Sequence, residues 1–143
     1  MDDELIRVCA LAARAACQRM TPRYLKALQD SVEQACCLPS RFDWDRKAAA
    51  HAEIVNLLAD VVGDPALAGL ASDVHGPLHD LMVAVGPASS GIIAGSRRRL
   101  LAQFRAGDAD GAAREMEQHL GCLFWMRRVS RRPAPAVPAD IAV

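Results

Sequence analysis

The chain has 143 residues, a length that suits one domain around one core. Its 17 basic and 17 acidic side chains cancel, so no overall field draws in nucleic acid or an anionic membrane. Aromatic residues are few, at three Phe, two Trp and one Tyr. Alanine and leucine are abundant, which favours helices packed closely over small side chains, and no run approaches the roughly 20 apolar residues of a membrane span.

The apolar spacing predicts six helices and no strands. The first runs from about Asp3 to Met20, with Leu5, Val8, Ala12, Ala15 and Ala16 at helical intervals. Its acidic start, Asp2-Asp3-Glu4, and Arg7 leave no separate apolar core for a signal peptide. Thr21-Pro22 is an N-cap followed by proline at the first helical position. The second helix follows to about Cys37, with Leu25, Leu28 and Val32 as its stripe, and Leu38-Pro39-Ser40 breaks it.

The third helix spans about Asp43 to Val62 with Ala48, His51, Ile54, Val55, Leu58 and Val61 inward. Gly63-Asp64-Pro65 stops it and starts the fourth, which reaches Val85. Gly76-Pro77 marks a point where that helix can kink or restart. The stretch 86–91 reads as a loop. Helix five covers about Ile92–Ala106 and helix six about Ala109–Val129, separated by Gly107-Asp108, where glycine suits a left-handed stop and aspartate caps the next start. Residues 1–130 read as the domain and 131–143 as a disordered tail containing Pro133, Pro135 and Pro138. The short connections imply an all-α antiparallel bundle.

Three inward positions are chemically odd. Arg97 shares a stripe with Leu100, Leu101 and Phe104; His119 shares one with Ala112, Met116 and Leu123; His51 lies on the third helix. An ionisable group on an apolar face needs a partner or a ligand, because bare burial is costly. A guanidinium with two imidazoles suggests an anion site, with Arg97 gripping a carboxylate and His51 and His119 donating. Internal neutralisation of Arg97 by Asp60 or Glu115 is the alternative.

Other features carry less. His75 and His79 have the i,i+4 spacing of metal ligands, but solvated or capping roles fit as well. Arg98 and Arg99 should point to solvent. The C-terminal run Arg127, Arg128, Arg131 and Arg132 complements the helix dipole. Cys9, Cys17, Cys36, Cys37 and Cys122 lack framework spacing and read as reduced thiols of a cytoplasmic protein, with Cys36-Cys37 open to a redox role. Trp125 and Phe124 are expected to be exposed and compatible with a homodimer surface. Phosphate-binding loops, nucleophile elbows, HExxH and the Glu-x-x-His pairs of di-iron bundles are absent from the sequence.

The run Arg105-Ala106-Gly107-Asp108-Ala109-Asp110-Gly111-Ala112-Ala113-Arg114, with Met116 and His119-Leu120, resembles the closing motif of the FCD domain. This is the C-terminal effector-binding domain of GntR-type transcriptional regulators. Ala12-Ala13-Arg14-Ala15-Ala16 with Arg19-Met20-Thr21 resembles its first helix and turn, and Gly63-Asp64-Pro65 its Gly-Asn-Pro type turn. The resemblance covers about residues 5–129. It implies a helical bundle with a central pocket, a homodimer, no membrane partner, and DNA binding only through an N-terminal winged helix-turn-helix that does not precede Asp2 here.

Many family members hold a divalent metal through an Asp, a His four residues later, and two more His. Counted from Gly63-Asp64, the Asp position falls on His51 and the first His position on Val55; in the other register the Asp position is Lys47. Arg97 stands at the next His position and His119 at the last. No cofactor is assigned: His51 and His119 alone are left to hold zinc or nickel, too few for a tight site. The expected function is the effector-sensing half of a regulator that takes a small carboxylate. An interaction-only module with a closed pocket and a metal-dependent enzyme are the alternatives.

Overall fold

A computed structural model describes residues 2–39, 41 and 43–131. The tail expected to be disordered falls, from residue 132 onward, outside the described residues. The elements are α1 (Asp2–Gln18), α2 (Pro22–Cys37), α3 (Trp44–Val62), α4 (Pro65–Val85), a 3-10 turn (Pro87–Ser89), α5 (Ser90–Ala106) and α6 (Ala109–Ser130). Among the described residues there is no strand, and no helix is long and apolar enough to cross a membrane.

Local chemistry sets the ends of these helices. Thr21 Oγ1 accepts from Tyr24 N at 3.2 Å and starts α2, with Pro22 at the first position. Gly63, at φ 73°, ends α3, and the Asp64 side chain accepts from Ala66 N at 3.0 Å to open α4. The α5–α6 turn is a Schellman motif. Gly107 has φ 68°, Asp108 N donates to Gln103 O at 2.9 Å and Gly107 N to Phe104 O at 3.2 Å. Asp108 then accepts from Gly111 N at 2.8 Å. Gly111 leaves room for that carboxylate, since a Cβ there would collide with the Asp108 side chain.

Two local expectations are corrected. The fourth helix does not restart at Gly76-Pro77; α4 continues as one helix through Pro77. Burial of Val74, Leu78, Leu81 and Met82 on both sides of it offsets the roughly 3 kcal/mol that an interior proline costs. The stretch expected as a loop is mostly helical. Ser89 is fully buried and its hydroxyl donates to Gly86 O at 2.7 Å, which closes a 3-10 turn that feeds straight into α5 at Ser90.

The helices pack as antiparallel pairs. Helix α1 lies along α6 and also touches α3 and α4; α3 pairs with α4, and α5 with α6; α2 packs chiefly on α3 and α5. Ala12, Ala13 and Ala16 of α1 are fully buried, and their small side chains let the neighbouring backbones approach. The core is filled by Ile54, Leu58, Leu78, Leu81, Met82, Ile93, Leu100, Leu120 and Leu123. The indole Nε1 of Trp44 donates to Met82 O at 2.9 Å, joining the start of α3 to the end of α4. An exposed Arg14–Asp110 ion pair joins α1 to the first turn of α6, a contact worth little in water. Phe124, expected at the surface, is buried, while Trp125 is 57% exposed. The reason is register: Phe124 follows Leu120 by one turn, on the face that meets the core.

The Asp108 cap yields a measurable expectation. Asp108→Ala should lower stability by about 1 kcal/mol and Asp108→Asn by less. Urea denaturation checks this, and equal midpoints for the alanine variant and the parent would show that the cap contributes nothing.

Candidate functional site

The middle of the bundle holds a polar cluster built from three helices. His51 comes from α3, where Ala48, Val55 and Leu58 occupy the same buried face. Arg97 comes from α5, set among Ile93, Leu100 and Leu101, and His119 from α6, among Met116, Leu120 and Leu123. Arg97 and His51 are 0% exposed and His119 is 4% exposed. The structure thus brings together all three residues singled out in the sequence.

The guanidinium is at the centre. Its Nη2 donates to the backbone carbonyl of His51 at 3.3 Å, and Nη1 faces Met116 Sδ at 3.9 Å. Among the described residues its Nε has no partner, and neither do the two ring nitrogens of His51 or of His119. Five buried nitrogens on three facing side chains therefore lack the hydrogen bonds that buried polar groups normally make.

Neither acid considered in the sequence neutralises Arg97. Asp60 is exposed on α3. Glu115, 6% exposed, is engaged by the neighbouring arginine instead: Arg99 Nε donates to Glu115 Oε1 at 2.6 Å. Arg99 makes this contact while its side chain stays 61% exposed, and Arg98 is exposed too, so both point to solvent as expected. Among the described residues no carboxylate lies within ion-pair distance of Arg97.

The electrostatics follow from burial. Loss of water pushes the Arg97 guanidinium down to about 10, offset in part by Cys9, Cys36 and Glu115, so it stays charged at neutral pH. Burial, then the charges of Arg97 and Lys47, hold the His51 imidazole down to about 3. Burial, Arg97, His51 and Arg99 hold His119 well below its ordinary range. Both rings are neutral, and each then offers one donor and one acceptor. The Cys9 thiol, fully buried and near enough to feel Arg97, is pushed up to about 12, chiefly by burial, and is not a nucleophile in this state.

Sequence reasoning treated Lys47 only as a register position. It is 4% exposed, and its Nζ donates to Cys36 O at 3.0 Å and Leu38 O at 2.9 Å. It thereby caps the C-terminus of α2, whose capping residue Leu38 is extended. The readable signal was that Leu38-Pro39 stops α2 without a glycine, leaving carbonyls that need donors.

The donor set does not fit a divalent metal. A fixed cation lies near enough to lower the pKa of both imidazoles, Val55 contributes nothing, and Lys47 stands where an acid would be needed. Among the described residues no group of three or more His, Cys, Asp or Glu is arranged to hold an ion. His75 and His79 do not form a metal pair. His75 Nε2 lies 3.2 Å from Glu53 Oε2, close enough for attraction but not aligned as a hydrogen bond, and His79 Nε2 lies 3.2 Å from Asp45 Oδ1. Cys36 is half-buried and Cys37 exposed, both as thiols.

Comparison with known families adds one match: the model of the FCD domain fits residues 9–121. No curated protein and no solved structure matches the chain.

The neutral histidines make stability depend on pH. Unfolded, each imidazole takes up a proton near pH 6.5; folded, it does not. The unfolded state therefore binds more protons below about pH 6.5, and stability falls as the pH drops, by at most about 1.4 kcal/mol per unit for each histidine. The loss persists to about 3, where His51 itself titrates. The urea midpoint should be lower near pH 5 than near pH 7, and His51→Gln should shrink the difference. A drop of the same size in the variant would place the responsible groups elsewhere.

Proposed function

The chain belongs to the FCD domain family, the C-terminal effector-binding domain of GntR-family regulators, and on that premise we propose that it senses a small carboxylate metabolite at Arg97. The observation that carries the reading is a buried guanidinium with no carboxylate partner among the described residues, in a core that also holds four unpartnered imidazole nitrogens. In this reading the effector supplies the missing acid. Arg97 grips it by charge-assisted hydrogen bonds, and His51 and His119 donate from their neutral rings. A monocation performs the task that a metal performs in other members. DNA contact belongs to a winged helix-turn-helix outside these residues, and two copies of the domain form the homodimer that transmits the change. Such a regulator works in the cytoplasm.

A second reading has two observations in its favour. Arg97 is fully enclosed, and Leu11, Trp125 and Val129 are exposed apolar side chains. A closed module that acts through its surface would look the same in this respect.

Thermal shift measurements separate the two. Acetate, succinate and citrate are screened with and without zinc or nickel, and with a chelator. A binding acid at a hundredfold excess over Kd should add about 2.7 kcal/mol of stability, with or without the chelator. Arg97→Met should lose that response. It should also raise the stability of the protein alone by about 1–4 kcal/mol, because it removes an unpaired buried charge. No response to any acid, together with a destabilised Arg97→Met variant, would mean that the charge is compensated internally and would favour the closed module. A response that the chelator abolishes would sink the metal-free site.

A further inference from the structure

A site enclosed this completely needs an element that moves, and the structure singles out α2. Only three of its 16 residues are buried, Leu28, Val32 and Ala35, whereas α1 buries eight of 17. Three clefts run along its flanks. Two lie against α3, of 300 Å³ beside Ala35 and Leu57 and of 200 Å³ beside Leu28 and Val61. The third, of 170 Å³, lies against α5 between Val32 and Leu101. A helix sealed by three side chains and flanked by clefts has few buried contacts to lose on opening.

Its position is equally specific. Leu101, which α2 covers, lies one helical turn after Arg97, on the same face. Lys47, which holds the last carbonyls of α2, lies one turn before His51. The restraints at its ends and flank are polar: the Thr21 cap, the two Lys47 hydrogen bonds, and Arg105 Nη2 donating to Gln29 Oε1 at 3.1 Å.

Charge distinguishes the two flanks. The cleft against α5 carries Arg98 and Arg105 against the single acid Glu33, and the half-buried Cys36 also lines it. The larger cleft against α3 carries Arg46 and Glu53, which balance. Resting on the reading that Arg97 takes an anion, we propose that α2 is the movable cover of the site and that the anion enters between α2 and α5, past Arg98 and Arg105. The two arginines raise the local concentration of anions at that opening, and the effect weakens with added salt.

Both halves can be tested on the full chain without knowing the effector. Hydrogen exchange read helix by helix should show α2 exchanging at least about tenfold faster than α1 and α6. Lys47→Met should widen that gap at α2 alone. Exchange of α2 in step with α1 and α6 overturns the cover, whatever the fate of the carboxylate reading. The opening is read from labelling of Cys9, the enclosed thiol near Arg97, by methanethiosulfonate reagents followed by peptide mapping. The anionic ethylsulfonate reagent should label Cys9 about tenfold more slowly in Arg98→Glu/Arg105→Glu than in the parent. The neutral methyl reagent should label both alike, which controls for changed stability. Equal rates for the anionic reagent, or slowing by Arg46→Glu instead, overturn entry between α2 and α5.

Discussion

One guanidinium without a counter-ion governs the centre of this protein. Arg97 is enclosed by apolar side chains, and its two hydrogen-bonding contacts are a helical carbonyl and a thioether. Burying a charge in this way costs several kcal/mol even after relaxation. The same charge sets the state of its neighbours. It helps to keep both imidazoles neutral, so the three residues act as one unit whose protonation is fixed by a single permanent cation.

The rest of the bundle holds this unit in place. Helices α3, α5 and α6 each deliver one member, and each has a defined start or stop close by. The Schellman turn at Gly107 and the Asp108 cap fix the register of α5 against α6, hence of Arg97 against Met116 and His119. Helix α1 contributes close-packed alanines that let the backbones approach. Helix α2 stands apart, because polar restraints hold it more than apolar contact does. That division between a tightly packed frame and a loosely seated sixth member places the low-stability part of the fold at α2.

The fold was legible because its punctuation is strong. Thr21-Pro22, Gly63-Asp64-Pro65 and Gly107-Asp108 combine stop and start signals whose side chains make the expected backbone hydrogen bonds. The misses lie where tertiary contacts outweighed local preference. Pro77 stays inside a helix because its flanks are buried, and 86–91 coils because Ser89 is buried and bonded to Gly86. The site residues were legible from periodicity, since a histidine or arginine on an apolar stripe is conspicuous. The partner of Glu115 was not: Arg97 and Arg99 lie two residues apart, and only the packing of α5 on α6 decides which one reaches it. Lys47 escaped because lysine rarely lies inside, and the carbonyls that draw it in belong to another helix.

Lys47 also ties the chemistry of the centre to the end of α2. An acid introduced at position 47 alone would leave the carbonyls of Cys36 and Leu38 without their donor and loosen the end of α2. A histidine introduced at position 97 alone would give up the hydrogen bond to the His51 carbonyl while leaving an ammonium one turn from His51. The two cations therefore constrain one another's surroundings: the charge at the centre of the bundle cannot be changed at either position without giving up a backbone contact to α2 or α3.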